Sequence, residues 1–226
     1  MNILGVSFDY HDAAAALVVD GTVCAAVQEE RFSRRKHDAA LPKHAIAFCL
    51  AEARIAAKDL DAVAYYEQPL VKFDRIVKAS LRQLPSGGWR YFTDSLASWI
   101  AEDRFAPRRR LAEHLALPEA RIIMKRHHAA HAASAFYCSP FNEAAVVTLD
   151  GVGEHETASI GWGDGRGLIT LETNQLPHSI GLLYSAFTAY LGFEVNEGEY
   201  KLMGMAAYGE PTLYDELMGL VHLLPN

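Results

Sequence analysis

The chain has 226 residues, half of them hydrophobic, with 21 Lys and Arg against 28 Asp and Glu for a formal net charge of −7. That size and apolar share predict a globular protein of one large domain or two small ones, and the acidic balance argues against a general nucleic-acid binder, which needs clustered Lys and Arg. No apolar run reaches the roughly 20 residues that cross a bilayer, the start lacks a signal-peptide pattern, and Cys24, Cys49 and Cys138 read as small buried hydrophobes of a reducing compartment, so a cytoplasmic protein with no membrane partner is expected.

Three strands open the chain, at Ile3–Phe8, Ala14–Val19 and Val23–Gln28, the last two joined by an Asp20-Gly21 turn. A helix from about Pro42 to Ile55 places Ile46, Leu50 and Ala53 on one face, and a strand at Ala62–Tyr66 follows. From Leu70 to Leu117 the pattern is helical, interrupted at Pro85–Gly88 and at Pro107, as in an inserted excursion; its basic run Arg108–Arg110 reads as a solvated face. Strand character returns at Arg121–Lys125, and a helix then runs to about Tyr137, where Ser139-Pro140 ends it. Ala144–Leu149, Thr157–Trp162, the Asp164-Gly165 turn and Leu168–Glu172 repeat the opening pattern of strand, acid and hairpin about 140 residues further on. Helices at Ser179–Leu191, Lys201–Tyr208 and Tyr214–Leu224 finish the chain. The duplication predicts two similar α/β lobes across a cleft, the build of the actin-like/RNase H-like ATPase (ASKHA) fold. The first would span residues 1–142 with the excursion at about 70–117, and the second would begin at 143 and be incomplete at 226.

The densest chemistry lies in KRHHAAHAASAFY (Lys125–Tyr137) and VVTLDGVGE (Val146–Glu154). On a helix His127 and His131 stand at i and i+4 and project from one face, while His128 can pair with His131 at i+3, so the spacing leaves two histidine pairs open. Asp150, at the end of an apolar strand, is the third candidate ligand, and two imidazoles with a carboxylate suit iron, manganese or zinc alike. Gly151 and Gly153 leave the backbone free for the approach of a nucleotide phosphate. At the first hairpin, His11 is the natural general base near neutral pH and Asp12 its neighbour, unless the loop is merely a polar turn that Asp12 caps. Lys36 and His37 follow the third strand and can reach the same cleft edge. GWGDGRG (Gly161–Gly167) lacks the Lys-Ser/Thr ending of a phosphate loop and reads as a hairpin turn. Glu197, Glu199 and Lys201 precede either a helix start near a nucleotide or an ordinary helix packed through Leu202, Met203 and Met205.

Six ordered segments, LGVSFDYHDAAAALVVDG, AAVQEERFSRRKHD, HHAAHAASAFY, VVTLDGVGE, SIGLLYSAFTAYLGF and GEYKLMGMAAYGEP, together resemble the N-terminal part of the nodulation-type O-carbamoyltransferases. The resemblance implies a two-part enzyme. A C-terminal adenylate-forming domain, similar to the tRNA-threonylcarbamoylation factors and absent from this chain, converts carbamoyl phosphate and ATP into carbamoyl adenylate. The actin-like part then passes the carbamoyl group to a small-molecule hydroxyl. It further implies His127, His131 and Asp150 as metal ligands, with iron as the ion and one more acidic ligand beyond Asn226. His11 and Asp12 fall on the loop facing the acceptor, Lys36 near the reacting group, and Gly151, Gly153 and Lys201 beside the nucleotide. Ala13 stands where family members commonly carry Ser. The missing C-terminal half is the expected partner, in cis or in trans, and a homodimer is left open. A tRNA threonylcarbamoyl transferase-like protein and a non-catalytic nucleotide-binding lobe are the alternative readings.

Overall fold

The computed structural model describes residues 1–221. Strands β1 (Asn2–Ser7), β2 (Ala14–Val19) and β3 (Thr22–Gln28) form an antiparallel meander, and β4 (Ala62–Tyr65) and β5 (Ile122–Met124) add in parallel beyond β1, giving the order β3-β2-β1-β4-β5. A parallel partner needs a crossover, supplied after the single turn α1 (Glu30–Ser33) by α2 (Lys43–Glu52). Leu4, Val6, Ala15, Leu17, Val63 and Tyr65 alternate onto the sheet face that meets Ala45, Ile46 and Cys49 of α2. Pro42 has no side-chain acceptor for the start of α2, and the buried carboxylate of Glu29 accepts the N–H groups of His44 and Ala45 instead, at 3.2 and 2.8 Å.

Helices α3 (Pro69–Arg82), α4 (Gly88–Ala101) and α5 (Pro107–Leu115) fill the long helical stretch, with the breaks where the prolines and glycines placed them. Phe73, Trp99 and Phe105 join α3 to α4, with ring centroids 4.9–5.1 Å apart. Leu111, Ala112 and Leu115 seat α5 on the first core. One residue of the basic run departs from the solvated-face expectation. Arg110 Nη1 donates to both oxygens of the buried Asp9 at 2.8 and 2.7 Å, anchoring the end of β1 to α5.

After α6 (His127–Tyr137), β6 (Ala144–Leu149), β7 (Glu156–Asp164) and β8 (Gly167–Gln175) form a second antiparallel meander, with the order β6-β7-β8. It repeats the order and sense of β1–β3. Helix α6 covers the face of Val146, Thr148 and Ser159, while Val147, Leu149, Ile160, Trp162, Ile169 and Leu171 stand exposed on the other. Strand β8 outlasts its apolar stretch because Thr173, Asn174 and Gln175 continue the ladder to β7. Helices α7 (Ile180–Tyr190), α8 (Glu199–Ala206) and α9 (Tyr214–Met218) follow. The final expected helix is thus shorter in its described part, and its last residues, 222–224, lie outside the described residues. Of the cysteines only Cys49 is buried; Cys24 sits on the edge strand β3 and Cys138 at the end of α6, both exposed, which corrects the expectation for those two.

Candidate metal centre and cleft

Helix α6 starts without a cap from its own N-cap residue, Arg126. Both oxygens of Glu154, a buried carboxylate in the β6–β7 loop, accept the N–H of His127 at 3.1 Å. His128 turns inward, where Nδ1 meets Thr148 Oγ1 at 2.6 Å and Nε2 meets the Glu156 carbonyl at 2.9 Å. With both its nitrogens committed, the histidine pair is His127 and His131. His127 Nε2 lies 2.8 Å from Asp150 Oδ2, and His131 Nε2 lies 2.9 Å from His127 Nε2 and 4.0 Å from the same carboxylate oxygen.

The three ligand atoms all fall within 4.8 Å of one another. Burial works to raise the Asp150 carboxyl, but the hydrogen bond and charge of His127, the Gly151 N–H and His131 outweigh it and hold the group at about 2. Burial, then the neighbouring His127, pushes the His131 imidazole down, which favours its neutral form. Two imidazole nitrogens that face each other beside an ionised carboxylate are a donor set suited to a divalent cation. His127 Nδ1 is buried without a protein partner. The residues fit the group.

Asp150 is fixed by its N–H to the Thr157 carbonyl at 2.9 Å, and its Oδ1 accepts the Gly151 N–H at 2.7 Å. Ser179 Oγ donates to the Gly151 carbonyl at 2.7 Å and accepts the Leu182 N–H at 3.0 Å, so one hydroxyl caps α7 and ties it to the Asp150 loop.

This cluster opens onto a cleft of about 1410 Å³ that Tyr10, His11, Asp12, Tyr66, Asp150 and Gly151 help to line. The loop after β1 is tightly turned, with Asp9 and Asp12 at φ 70° and 59°, a left-handed geometry that aspartate tolerates. Tyr65 and Tyr66 both donate to the Phe8 carbonyl, at 3.1 and 3.4 Å. Burial drives both phenols well up, so they remain donors. Asp12 bridges two imidazoles, Oδ2 to His11 Nδ1 at 2.9 Å and Oδ1 to His37 Nδ1 at 3.0 Å. Burial raises its carboxyl, but these two hydrogen bonds prevail and the net shift is downward.

Not every expected residue reaches the cleft wall. Lys36 Nζ pairs with Glu197 Oε2 at 3.3 Å and is largely exposed, outside the lining. His37 Nε2 meets the other Glu197 oxygen at 3.1 Å. Gly153 lies beneath α6, where a Cβ would stand 3.0 Å from His127 and His128 side-chain atoms. Its bare backbone serves the close approach of α6. Lys201 is exposed, its ammonium 5.8 Å from the Tyr200 ring, and it too is outside the lining. Conversely, the helical stretch contributes residues that motif reasoning passed over. Lys72 and Arg75 of α3 line the cleft, Lys72 Nζ 2.7 Å from Glu67 and Arg75 Nη1 donating to the Gly153 carbonyl at 2.6 Å. Their i, i+3 spacing was the available signal.

Fold and site together define a mixed α/β domain with a His-His-Asp cluster on an open cleft. Residues 2–223 match the family model described as carbamoyltransferase N-terminus, and the chain belongs to that family. It is 48% identical over 225 residues to the uncharacterized protein sll1178 of Synechocystis, covering 96% of this chain and 36% of that protein. It is 35% identical over 209 residues to the nodulation protein NolNO of Sinorhizobium fredii, covering 92% of this chain and 29% of that protein. The chain thus spans about a third of the length of these relatives. Among solved structures it is similar to YeaZ from Pseudomonas aeruginosa at 15% identity and a TM-score of 0.39, over 78% of this chain and 67% of that one. No helix among the described residues is long and apolar enough to cross a membrane.

Proposed function

We propose that the cleft transfers a carbamoyl group from carbamoyl adenylate to a hydroxyl of a small molecule. Carbamoyl phosphate and ATP would be the source of the adenylate, made by the part of the longer relatives that this chain does not span. In this reading residues 1–142 and 143–226 are two lobes of an actin-like/RNase H-like ATPase (ASKHA) fold, the second continued elsewhere. The observation that carries it is the placing of His11 and Asp12 on the same cleft as His127, His131 and Asp150, in a chain of the carbamoyltransferase family.

His127, His131 and Asp150 would hold a divalent ion, iron by family resemblance, which supplies a Lewis acid for a phosphoryl oxygen. Asp12 engages Nδ1 of His11, leaving Nε2 to take the proton of the acceptor hydroxyl. As that proton moves, the acceptor oxygen forms its bond to the carbamoyl carbon, the bond from that carbon to the phosphate oxygen breaks, and AMP departs. Gly151, on the cleft wall, would admit the phosphate, and Arg75 and the Glu67-paired Lys72 line the same cleft. Lys36, paired with Glu197, would act by holding the edge of the first hairpin loop rather than by touching the reacting group.

The test uses an intact, metal-loaded family member containing this region, incubated with ATP, carbamoyl phosphate and a panel of hydroxyl acceptors. AMP release together with an acceptor heavier by one carbamoyl group is expected. Neither product from folded enzyme across the panel would contradict the proposal.

A further inference from the structure

Glu154 is a buried carboxylate that belongs to neither group of expected site residues, yet it bonds two separate elements beside the cluster. Its two oxygens accept the N–H of His127, and one of them also accepts the N–H of Gln68, at the start of α3, at 2.9 Å. It stands four residues after Asp150 in a loop closed at both levels: Asp150 N–H bonds the Thr157 carbonyl and Gly153 N–H bonds the Glu156 carbonyl, each at 2.9 Å. Between them, Gly153 gives its carbonyl to Arg75 and lies against the His127 side chain. The same short loop therefore carries one ligand, Asp150, and grips the backbone amide of another, His127. His131, one turn further along α6, has no such tie to Glu154.

We propose that Glu154 is a positioning residue for the metal centre, setting the separation of His127 from Asp150 by clamping the first turn of α6 to the loop that carries the carboxylate. This rests on the reading of His127, His131 and Asp150 as metal ligands. Two physical terms act together. An anionic side chain satisfies donors that a helix N-terminus otherwise leaves open, and bonds to two elements at once give it a leverage that an ordinary cap lacks. Glu29 provides the comparison within the same molecule. It is equally buried and caps α2 through two amides, but the elements it joins carry none of the three ligands.

The experiment titrates the purified full chain with Zn(II), for wild type, Glu154→Gln, Glu154→Asp and Glu29→Gln, and the wild type also with Mn(II) and Fe(II), and follows the unfolding midpoint of each metal-free form in parallel. Glu154→Gln removes the charge, while Glu154→Asp keeps it and shortens the reach, so an effect shared by both is positional. Both Glu154 variants are expected to weaken Zn(II) binding about tenfold or more, the usual range for partners behind metal ligands. Glu29→Gln should lower the midpoint yet leave the Kd within about twofold, as expected for an independent site. Wild-type affinity in Glu154→Asp, or equal weakening by Glu29→Gln, overturns the positioning role. A wild-type chain that binds neither Zn(II), Mn(II) nor Fe(II) overturns the metal reading itself, and the role of Glu154 with it.

Discussion

His128 satisfies Thr148 and the Glu156 carbonyl from within the sheet-facing side of α6, whereas His131 keeps half its side chain exposed beside Asp150. Truncating each should therefore do opposite things. His128→Ala strands buried polar partners and should cost about 2–3 kcal/mol in urea unfolding. His131→Ala should cost less than about 0.5 kcal/mol, as a part-exposed change does, but should strip bound metal from the purified protein in elemental analysis. A reversed pattern, with His128→Ala metal-free and His131→Ala strongly destabilised, would show that the ligand pair was wrongly assigned. The sequence made three histidines visible within five residues but could not divide them between these fates. That division depends on which side of α6 receives β6 and β7, a tertiary fact that spacing along one helix does not contain. Asp9 has the same lesson: in the sequence it stands with His11 and Asp12 as one acidic loop, but its partner is Arg110, 101 residues away.

Among the elements, the ends of strands and helices were legible wherever Gly, Pro or an Asp-Gly turn marks them, as at Asp20-Gly21, Pro107 and Ser139-Pro140. The one-turn α1 was not, since four residues carry no period, and the cap of α2 by Glu29 was not, since it reaches across 15 residues to His44. The junction of α7 with the Asp150 loop was likewise hidden, although it fixes Asp150 closely. A Cβ at Gly181 would stand 2.5 Å from the Asp150 carbonyl oxygen and 2.7 Å from the Gly151 nitrogen, both rigid backbone atoms. Gly181→Ala should accordingly cost about 2–3 kcal/mol through overpacking and weaken metal binding with it. Ser179→Ala, which removes the cap and its bonds to the Asp150 and Gly151 carbonyls, should cost about 1 kcal/mol. Urea unfolding of the two variants checks the order, and an equal or smaller loss for Gly181→Ala would mean that the junction is not close-packed.

For the whole molecule, the five-stranded sheet and the second meander are linked across the cleft by polar ties. Gln68 and Arg75 reach the Asp150 loop, and Lys36 and His37 reach Glu197. Their placement brings His11 and Asp12, on the loop after β1, onto one cleft with the His-His-Asp cluster carried by the second sheet and α6. The repeat of strand, acid and hairpin made the two meanders readable in advance, because each copy keeps its own turn signals. The place of Lys72 and Arg75 on the cleft was not readable, because they sit in a helical stretch whose amphipathic pattern reports packing and not which face meets the other sheet. Anomalous diffraction from crystals of this chain soaked in Mn(II) tests the metal centre most directly. A single strong peak among His127 Nε2, His131 Nε2 and the Asp150 carboxylate is predicted; well-ordered crystals with no peak there, or with the ion bound elsewhere, would contradict it.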